Sequence, residues 1–107
     1  MADVAPDFTD SLDGDYVSGI VSVPIGSDVL LCANGTTNLT SREFLLIYND
    51  GNKDIYVGPP GVTKTASTKG ITVFPGESMS FKVSANVNIH AISDVGNVNV
   101  ICQEWAT

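Results

Sequence analysis

Apolar and polar residues alternate over short segments through most of the chain after residue 15, and turn signals separate these segments. The clearest alternation runs through residues 78–83, where Met79, Phe81 and Val83 share one face. The turn signals are NDGN (49–52), GPPG (58–61), TKG (68–70), PGE (75–77) and DVGN (94–97). Because each short strand must end in residues that tolerate positive φ or fix φ, this punctuation predicts an antiparallel sandwich or barrel.

The pattern predicts eight or nine strands and no substantial helix, since no long window has helical apolar spacing free of Gly, Pro or β-branched runs. The predicted fold class is all-β, an antiparallel β-sandwich of the jelly-roll or a related Greek-key type, with a small barrel as the alternative. The segment 43–48 is apolar on both faces, which predicts a central strand covered on both sides, with another subunit as one candidate cover. The predicted strands are 16–25, 29–33, 43–48, 54–57, 62–65, 71–74, 78–83, 87–91 and 98–105.

The first 15 residues have a different composition from the rest of the chain. They contain five aspartates, and only Phe8 and Leu12 are sizeable apolar side chains. This apolar area is too small to offset the entropy of ordering, so we expect residues 1–15 to be an extended, flexible acidic arm and residues 16–107 to be a single β-sandwich domain. The run from Asp10 to Asp15 faintly resembles a calcium loop, but it lacks the further ligands of an EF-hand, and the solvated arm is favoured.

Charge and hydropathy limit the partners that the chain can have. Its net charge of −7 and the absence of a basic stripe argue against contact with nucleic acid. No apolar stretch approaches the ~20 residues that cross a bilayer, so no membrane contact is expected. The acidic start of the chain does not resemble a secretory signal peptide, and we expect synthesis in a cytoplasm.

The residues that usually carry catalysis are sparse. His90 is the only imidazole, and no Cys or His lies at ligand spacing from it, so it is interpreted as an exposed or rim residue rather than a catalytic or metal-binding one. Cys32 and Cys102 lie in apolar contexts and are interpreted as two buried free thiols, with a disulfide as the less favoured alternative. We therefore expect no enzyme activity, metal or cofactor. Four acidic residues are assigned to strand ends or turns: Asp54, Glu77, Asp94 and Glu104.

Aromatic and apolar side chains near the two ends of the chain are the candidates for partner binding. They are Phe8, Leu12, Tyr16 and Trp105. Aromatic anchors are enriched at protein interfaces, although packing onto the chain's own sandwich is an equally simple interpretation. If the sandwich instead binds carbohydrate, the candidate aromatics are Tyr48, Tyr56 and Trp105.

Several motifs occur in a fixed order after residue 42: R-x-x-L-L-I-Y-N-x-G, I-Y-V-G-P-P-G-V-T, V-F-P-G-E-S-x-S-F, I-H-A-I-S and G-N-V-N-V. Together they resemble a group of small virion proteins and modules of tailed bacteriophages, found among capsid decoration (cement) proteins, head fibres and tail-associated parts. The sequence departs from that pattern at His90, where an aromatic is more usual, and residues 1–41 lie outside it.

This resemblance implies a virion surface component. We expect a non-enzymatic capsid decoration protein that is made in the host bacterial cytoplasm and binds the major capsid protein on the outer surface of the assembled head. A homo-oligomer is expected, with a trimer favoured, because decoration proteins commonly occupy threefold positions. The alternatives are a carbohydrate-binding or host-adhesion module and a head–tail or tail-associated subunit.

Overall fold

A computed structural model describes residues 16–106, so the predicted arm, with Phe8 and Leu12, lies outside the described residues, as does residue 107. The described chain forms two antiparallel sheets of four strands each, which confirms the predicted all-β sandwich. The strands are β1 (Tyr16–Val23), β2 (Val29–Leu30), β3 (Phe44–Asn49), β4 (Ile55–Gly58), β5 (Ile71–Val73), β6 (Ser78–Phe81), β7 (His90–Ser93) and β8 (Val98–Trp105).

The strand pairing gives the topology that the sequence left open. The first sheet has the order β1-β8-β3-β6 and the second has the order β2-β7-β4-β5. The first strand therefore pairs with the last, β2 with β7, β3 with β6, and β4 with β5. In this arrangement the chain forms one long hairpin of nested strand pairs, and successive pairs alternate between the two sheets. This topology is the jelly roll.

The core lies between the two sheets and is formed by the inward positions of the alternating strands. In β8, Val98, Val100 and Cys102 are fully or almost fully buried, and in β3 the inward residues are Leu45 and Ile47. Met79 and Phe81 of β6 pack against this cluster, as their alternation predicts. The period of two in the sequence thus correctly separates the inward from the outward positions of the first sheet.

The predicted strand at 62–65 is wrong. Only a single parallel bridge joins Thr63 to Lys69, and a short 3-10 turn occupies Ala66–Thr68. The preceding Pro-Pro-Gly turn provides the physical reason, because Gly61 has a φ of 90° and turns the chain away from the sheet. Residues 59–70 instead form a loop between β4 and β5.

Strand β7 begins at His90 rather than at residue 87. The amide of Val87 donates to the carbonyl of Ser84 in a turn, and the Val87 carbonyl accepts a hydrogen bond from Arg42, so neither group is available for a ladder. The first two strands are also shorter than predicted. β1 stops at Val23, before Pro24, and β2 has only two residues.

The loop 59–70 covers the outer face of the second sheet. Val62 is 3% exposed and lies close to Gly58, a residue at an outward position of β4. The ammonium group of Lys69 lies 5.4 Å from the centroid of the Tyr56 ring, which is itself buried on this face. On the outer face of the first sheet, by contrast, Ile20 is 63% exposed and Tyr16 is 46% exposed.

Candidate docking face

The outward positions of the first sheet form one continuous surface, here called the neutral face. It is composed of Tyr16, Ser18, Ile20 and Ser22 of β1, Phe44, Leu46 and Tyr48 of β3, Ser78 and Ser80 of β6, and Asn99, Ile101, Gln103 and Trp105 of β8. None of these side chains is charged. About 25% of the residues of a typical soluble domain are charged, and outward strand positions of a solvated antiparallel sheet are usually polar.

The register aligns the apolar residues of the neutral face in a row across the sheet. Ile20 lies opposite Ile101, and Ile101 lies opposite Tyr48. Leu46 is two residues from Tyr48 on the same face of β3 and opposes Gln103 of β8. Ser78 opposes Tyr48 from the edge strand β6. These side chains therefore form a central apolar strip flanked by small neutral polar groups.

A shallow depression of about 300 Å³ lies in the middle of this strip. It is lined by Leu46, Tyr48, Ser78, Ile101 and Gln103. A side chain of a partner protein can fill a depression that is lined by apolar groups. Charged residues are depleted from the cores of protein–protein interfaces, as they are from this depression.

An aromatic row closes one end of the neutral face. Trp105 of β8 lies between two flanking strands, with its ring centroid 5.7 Å from that of Phe44 and 6.3 Å from that of Tyr16. The structure thus brings together two of the predicted partner-binding residues, Tyr16 and Trp105. Tyr16 is 46% exposed, whereas Trp105 is 1% exposed. A direct contact of the partner with this end of the face would therefore involve Tyr16, and the partner-binding role of both residues stays a prediction.

Several members of the neutral face have no role that the sequence alone predicts. Ile20 and Ile101 received no role, although their outward position follows from the alternation, and Leu46 was expected only to be covered. Two features of the sequence mark these residues: β3 is apolar on both faces, and β8 has an apolar residue at the outward position 101. The sequence does not show that β3 pairs with β8, and only this pairing places the two sets of residues on one surface.

A buried ion pair holds the loops at the aromatic end of the sheet. The Arg42 guanidinium donates from Nη1 to Oε2 of Glu104 at 2.8 Å, and both side chains are almost completely buried. Glu104 was assigned to turn chemistry from its position near a strand end. That interpretation is wrong, because Glu104 is an inward residue of β8 with no exposed surface.

Each charge of this pair also binds backbone groups of surrounding loops. The Glu104 carboxylate accepts from the amides of Ala33 and Leu39, at 2.8 and 3.2 Å. Nη2 of Arg42 donates to the carbonyls of Ser84 and Val87 at 3.0 and 2.6 Å. The pair therefore connects the segment after β2 and the segment after β6 to the last strand. Both terminal nitrogens of the guanidinium and both carboxylate oxygens are hydrogen-bonded, whereas the buried Nε of Arg42 has no partner among the described residues. Such a buried pair fixes geometry, and its net contribution to stability over an apolar pair is small.

His90 has an acidic partner. Its Nδ1 lies 2.7 Å from Oδ2 of Asp28, and the amide of Gly61 donates to the same oxygen at 3.0 Å. The hydrogen bond from Gly61, together with the nearby imidazole, lowers the pKa of Asp28 against the opposing effect of partial burial. The pair links the start of β2, the start of β7 and the turn after β4 into one structural contact. It is half-buried rather than fully exposed, which refines the interpretation of His90 as a rim residue.

The two cysteines are free and buried, as the favoured interpretation predicts. Burial raises the pKa of the Cys102 thiol to about 12, and burial also raises the pKa of Cys32. Neither thiol therefore has the character of a reactive nucleophile.

The aromatics considered for carbohydrate binding do not share a surface. Tyr48 lies on the neutral face and Tyr56 lies beneath the loop 59–70 on the opposite sheet, where burial and then the neighbouring carboxylates of Asp94 and Asp54 raise its pKa. Trp105 is buried. A separate cleft between the segments 36–40 and 85–88 is lined by Thr, Asn, Leu and Ala side chains and contains no aromatic residue.

Within residues 16–106, no group of three or more His, Cys, Asp or Glu side chains is arranged to hold a metal ion. The same residues contain no helix with the length and hydropathy of a membrane span.

No protein-family model matches the chain, and no curated protein matches it significantly. A solved structure from Bacillus, described in "Bacillus endospore appendages form a novel family of disulfide-linked pili", is similar over 100% of this chain and 98% of the other, with 16% sequence identity and a TM-score of 0.34. A likeness at this level carries no argument about function.

Proposed function

We propose that this protein is a non-enzymatic structural subunit that docks onto a protein shell through its neutral face. The observation that supports this function is the uncharged outer face of the first sheet, with its apolar strip from Ile20 to Tyr48. Covering an uncharged surface has a small desolvation cost, because no charged group leaves water. Burial of the apolar strip lowers the free energy of the complex.

The most specific form of the proposal is a capsid decoration protein of a tailed bacteriophage that binds the major capsid protein on the outer surface of the head, as an oligomer for which a trimer is expected. The motifs after residue 42 suggest this class of protein. The net charge of −7 agrees with it, because an acidic protein is repelled by packaged DNA and favours the outer side of a shell.

Binding to isolated heads tests the proposal. Heads that lack the protein are mixed with the purified full chain, sedimented and analysed for bound protein. Replacing the half-buried Leu46 by lysine introduces a charge into the centre of the strip, and we expect this L46K variant to bind at least about tenfold more weakly. Val95 is 53% exposed in the turn before β8, away from the face, so V95K is the matched control and should bind like the wild type.

Copy number and thermal release of DNA separate this function from its alternatives. A decoration protein occurs in hundreds of copies per head, and heads without it release DNA at a lower temperature. A tail or connector subunit occurs in a small multiple of six copies. Failure of the wild-type chain to bind heads, together with specific binding to a glycan array, would contradict docking to a shell and support the adhesion alternative.

A further inference from the structure

The outer edge of β1 differs from the other sheet edges of the described residues. β1 has eight residues and is the outermost strand of the first sheet, whereas the opposite edge strand, β6, has four. The edge strands of the second sheet, β2 and β5, have two and three residues. Short edges are one of the ways in which proteins avoid pairing with other chains, and β1 does not use it.

Charged residues, proline and bulges, which also protect sheet edges, are absent from β1 as well. Its sequence, YVSGIVSV, contains no charged residue and no proline, and all eight residues pair with β8 in an unbroken register without a bulge. Ile20 is 63% exposed. Val17 is at an inward position, yet it is 37% exposed, so the second sheet does not fully cover this end of the strand. Backbone and side chains of β1 are both suited to a further strand.

We propose that two copies of this chain pair through β1 in antiparallel orientation, around a two-fold axis at Ile20. The strand is close to palindromic about that residue. Val17 then opposes Val23 of the second copy on the inward side, Ser18 opposes Ser22, and Ile20 opposes its own equivalent on the outward side. Like side chains thus meet at each of these positions, and opposed side chains of an antiparallel pair lie on the same face of the sheet.

The remaining pair is Gly19 with Val21, in which the larger side chain meets no Cβ. Over the seven opposed positions of 17–23, alternate pairs exchange two backbone hydrogen bonds each, which gives about six to eight bonds between the copies. An isologous contact of this kind closes at two copies and extends the neutral face into one eight-stranded sheet.

The acidic first 15 residues favour the antiparallel arrangement over a parallel one. They precede Tyr16 directly and contain five aspartates and no basic residue. With the axis at Ile20, the two Tyr16 residues lie at opposite ends of the paired strands, about 26 Å apart at about 3.3 Å per residue. This separation exceeds the Debye length of about 8 Å at physiological ionic strength, whereas parallel strands would bring the two acidic segments side by side.

The proposed pairing does not rest on the proposed function, because it uses the edge of β1 and not the centre of the face around Leu46. It predicts a dimer in solution, in contrast to the trimer expected from the resemblance.

The molar mass of the full chain in solution tests the pairing, measured by light scattering and native mass spectrometry over a dilution series. We expect a species of about twice the 11.2 kDa chain mass for the wild type. In I20K, two lysines oppose each other at the axis, and the dimer dissociation constant should rise by at least about tenfold. Ile71 is also 63% exposed and lies on the edge strand of the other sheet, so I71K is the matched control and should remain dimeric.

A cysteine at the axis tests the register. In I20C the two thiols oppose each other and should be joined by a short bismaleimide into a covalent dimer, whereas I71C should not, and the buried native cysteines should stay unmodified. A monomeric or trimeric wild type, an I20K protein that dimerises like the wild type, or equal cross-linking of I20C and I71C would each overturn the proposal. Leu46 lies on the central strand β3 and not at the β1 edge, so L46K should dimerise like the wild type, and loss of its dimer would contradict pairing through β1.

Discussion

Replacing Glu104 by glutamine tests the role of the buried ion pair with almost no change in side-chain volume. In the wild type, the two carboxylate oxygens accept from the Arg42 guanidinium and from the amides of Ala33 and Leu39. A glutamine amide has only one acceptor oxygen, so in either orientation its NH₂ group faces at least one of these donors. The guanidinium, which is almost completely buried, also loses its counter-charge.

The expected loss is about 3–5 kcal/mol in the free energy of unfolding, which is the usual cost of leaving a buried charge without its partner. Total stabilities of small domains are about 5–15 kcal/mol, so E104Q should be partly unfolded under mild conditions. Urea denaturation measures the loss, followed by the fluorescence of the single tryptophan, Trp105, and by circular dichroism.

Glu77 provides a matched control for this substitution. Its carboxylate accepts a single hydrogen bond from the amide of Phe74 in an exposed turn. E77Q should therefore cost no more than about 1 kcal/mol. A loss for E104Q as small as that of E77Q would refute the argument that Arg42 depends on Glu104 as its counter-charge.

A double-mutant cycle with R42M isolates the pair interaction. R42M removes the positive charge, so in this background the glutamine at position 104 no longer faces an unpaired guanidinium. The cost of E104Q should then fall, with a coupling energy of about 0.5–3 kcal/mol. Equal costs of E104Q in both backgrounds would mean that Glu104 acts through the backbone amides alone.

Three further predictions concern other parts of the sandwich. The two cysteines should react with a thiol reagent at pH 8 only after unfolding, since both are buried and the pKa of Cys102 is about 12; rapid labelling of the native protein would contradict this. The pKa of Asp28 is lower in the folded state than in the unfolded state. The ionised carboxylate therefore stabilises the fold above the unfolded pKa, and this contribution is lost as the pH falls through the folded pKa. The urea midpoints at pH 6 and pH 3 should consequently differ less in D28N than in the wild type. A Cβ at Gly19 would collide with the backbone carbonyl oxygen of Ala33, whereas a Cβ at Gly26 would meet no atom within 4 Å. Thermal melts should therefore show a loss of more than about 2 kcal/mol in the free energy of unfolding for G19A and a change within about 1 kcal/mol for G26A. Equal changes in the two variants would contradict the collision.

The sequence predicts the fold class because the period of two persists wherever one side of a strand faces the core. In β6 and β8 the inward residues are those that the alternation selects. The prediction failed at residues 62–65, where an apolar residue followed by threonines resembles a strand. There the positive φ of Gly61 and the contact of Val62 with Gly58 turn the segment into a cover for the second sheet.

The ion pair was harder to find from the sequence, because Arg42 and Glu104 are 62 residues apart and neither has a local pattern that marks burial. A single charged residue in a strand is usually exposed, so its position near the strand end favoured a turn. Only the nested pairing of the jelly roll brings the two segments together. The neutral face had a stronger signal in the apolar outward residues of β3 and β8, but its extent depends on the strand order.

The distribution of charge over the described part of the fold supports the proposed docking role of the neutral face. One arginine and one glutamate lie in the interior, where desolvation is costly, while the outer face of the first sheet has none of the charged residues that the chain contains. The outer face of the second sheet is instead covered by the loop 59–70, in which Lys69 lies over the Tyr56 ring. Among the described residues, the outer face of the first sheet is thus neutral and partly exposed, whereas that of the second sheet is covered. This difference supports the proposal that another protein covers the neutral face.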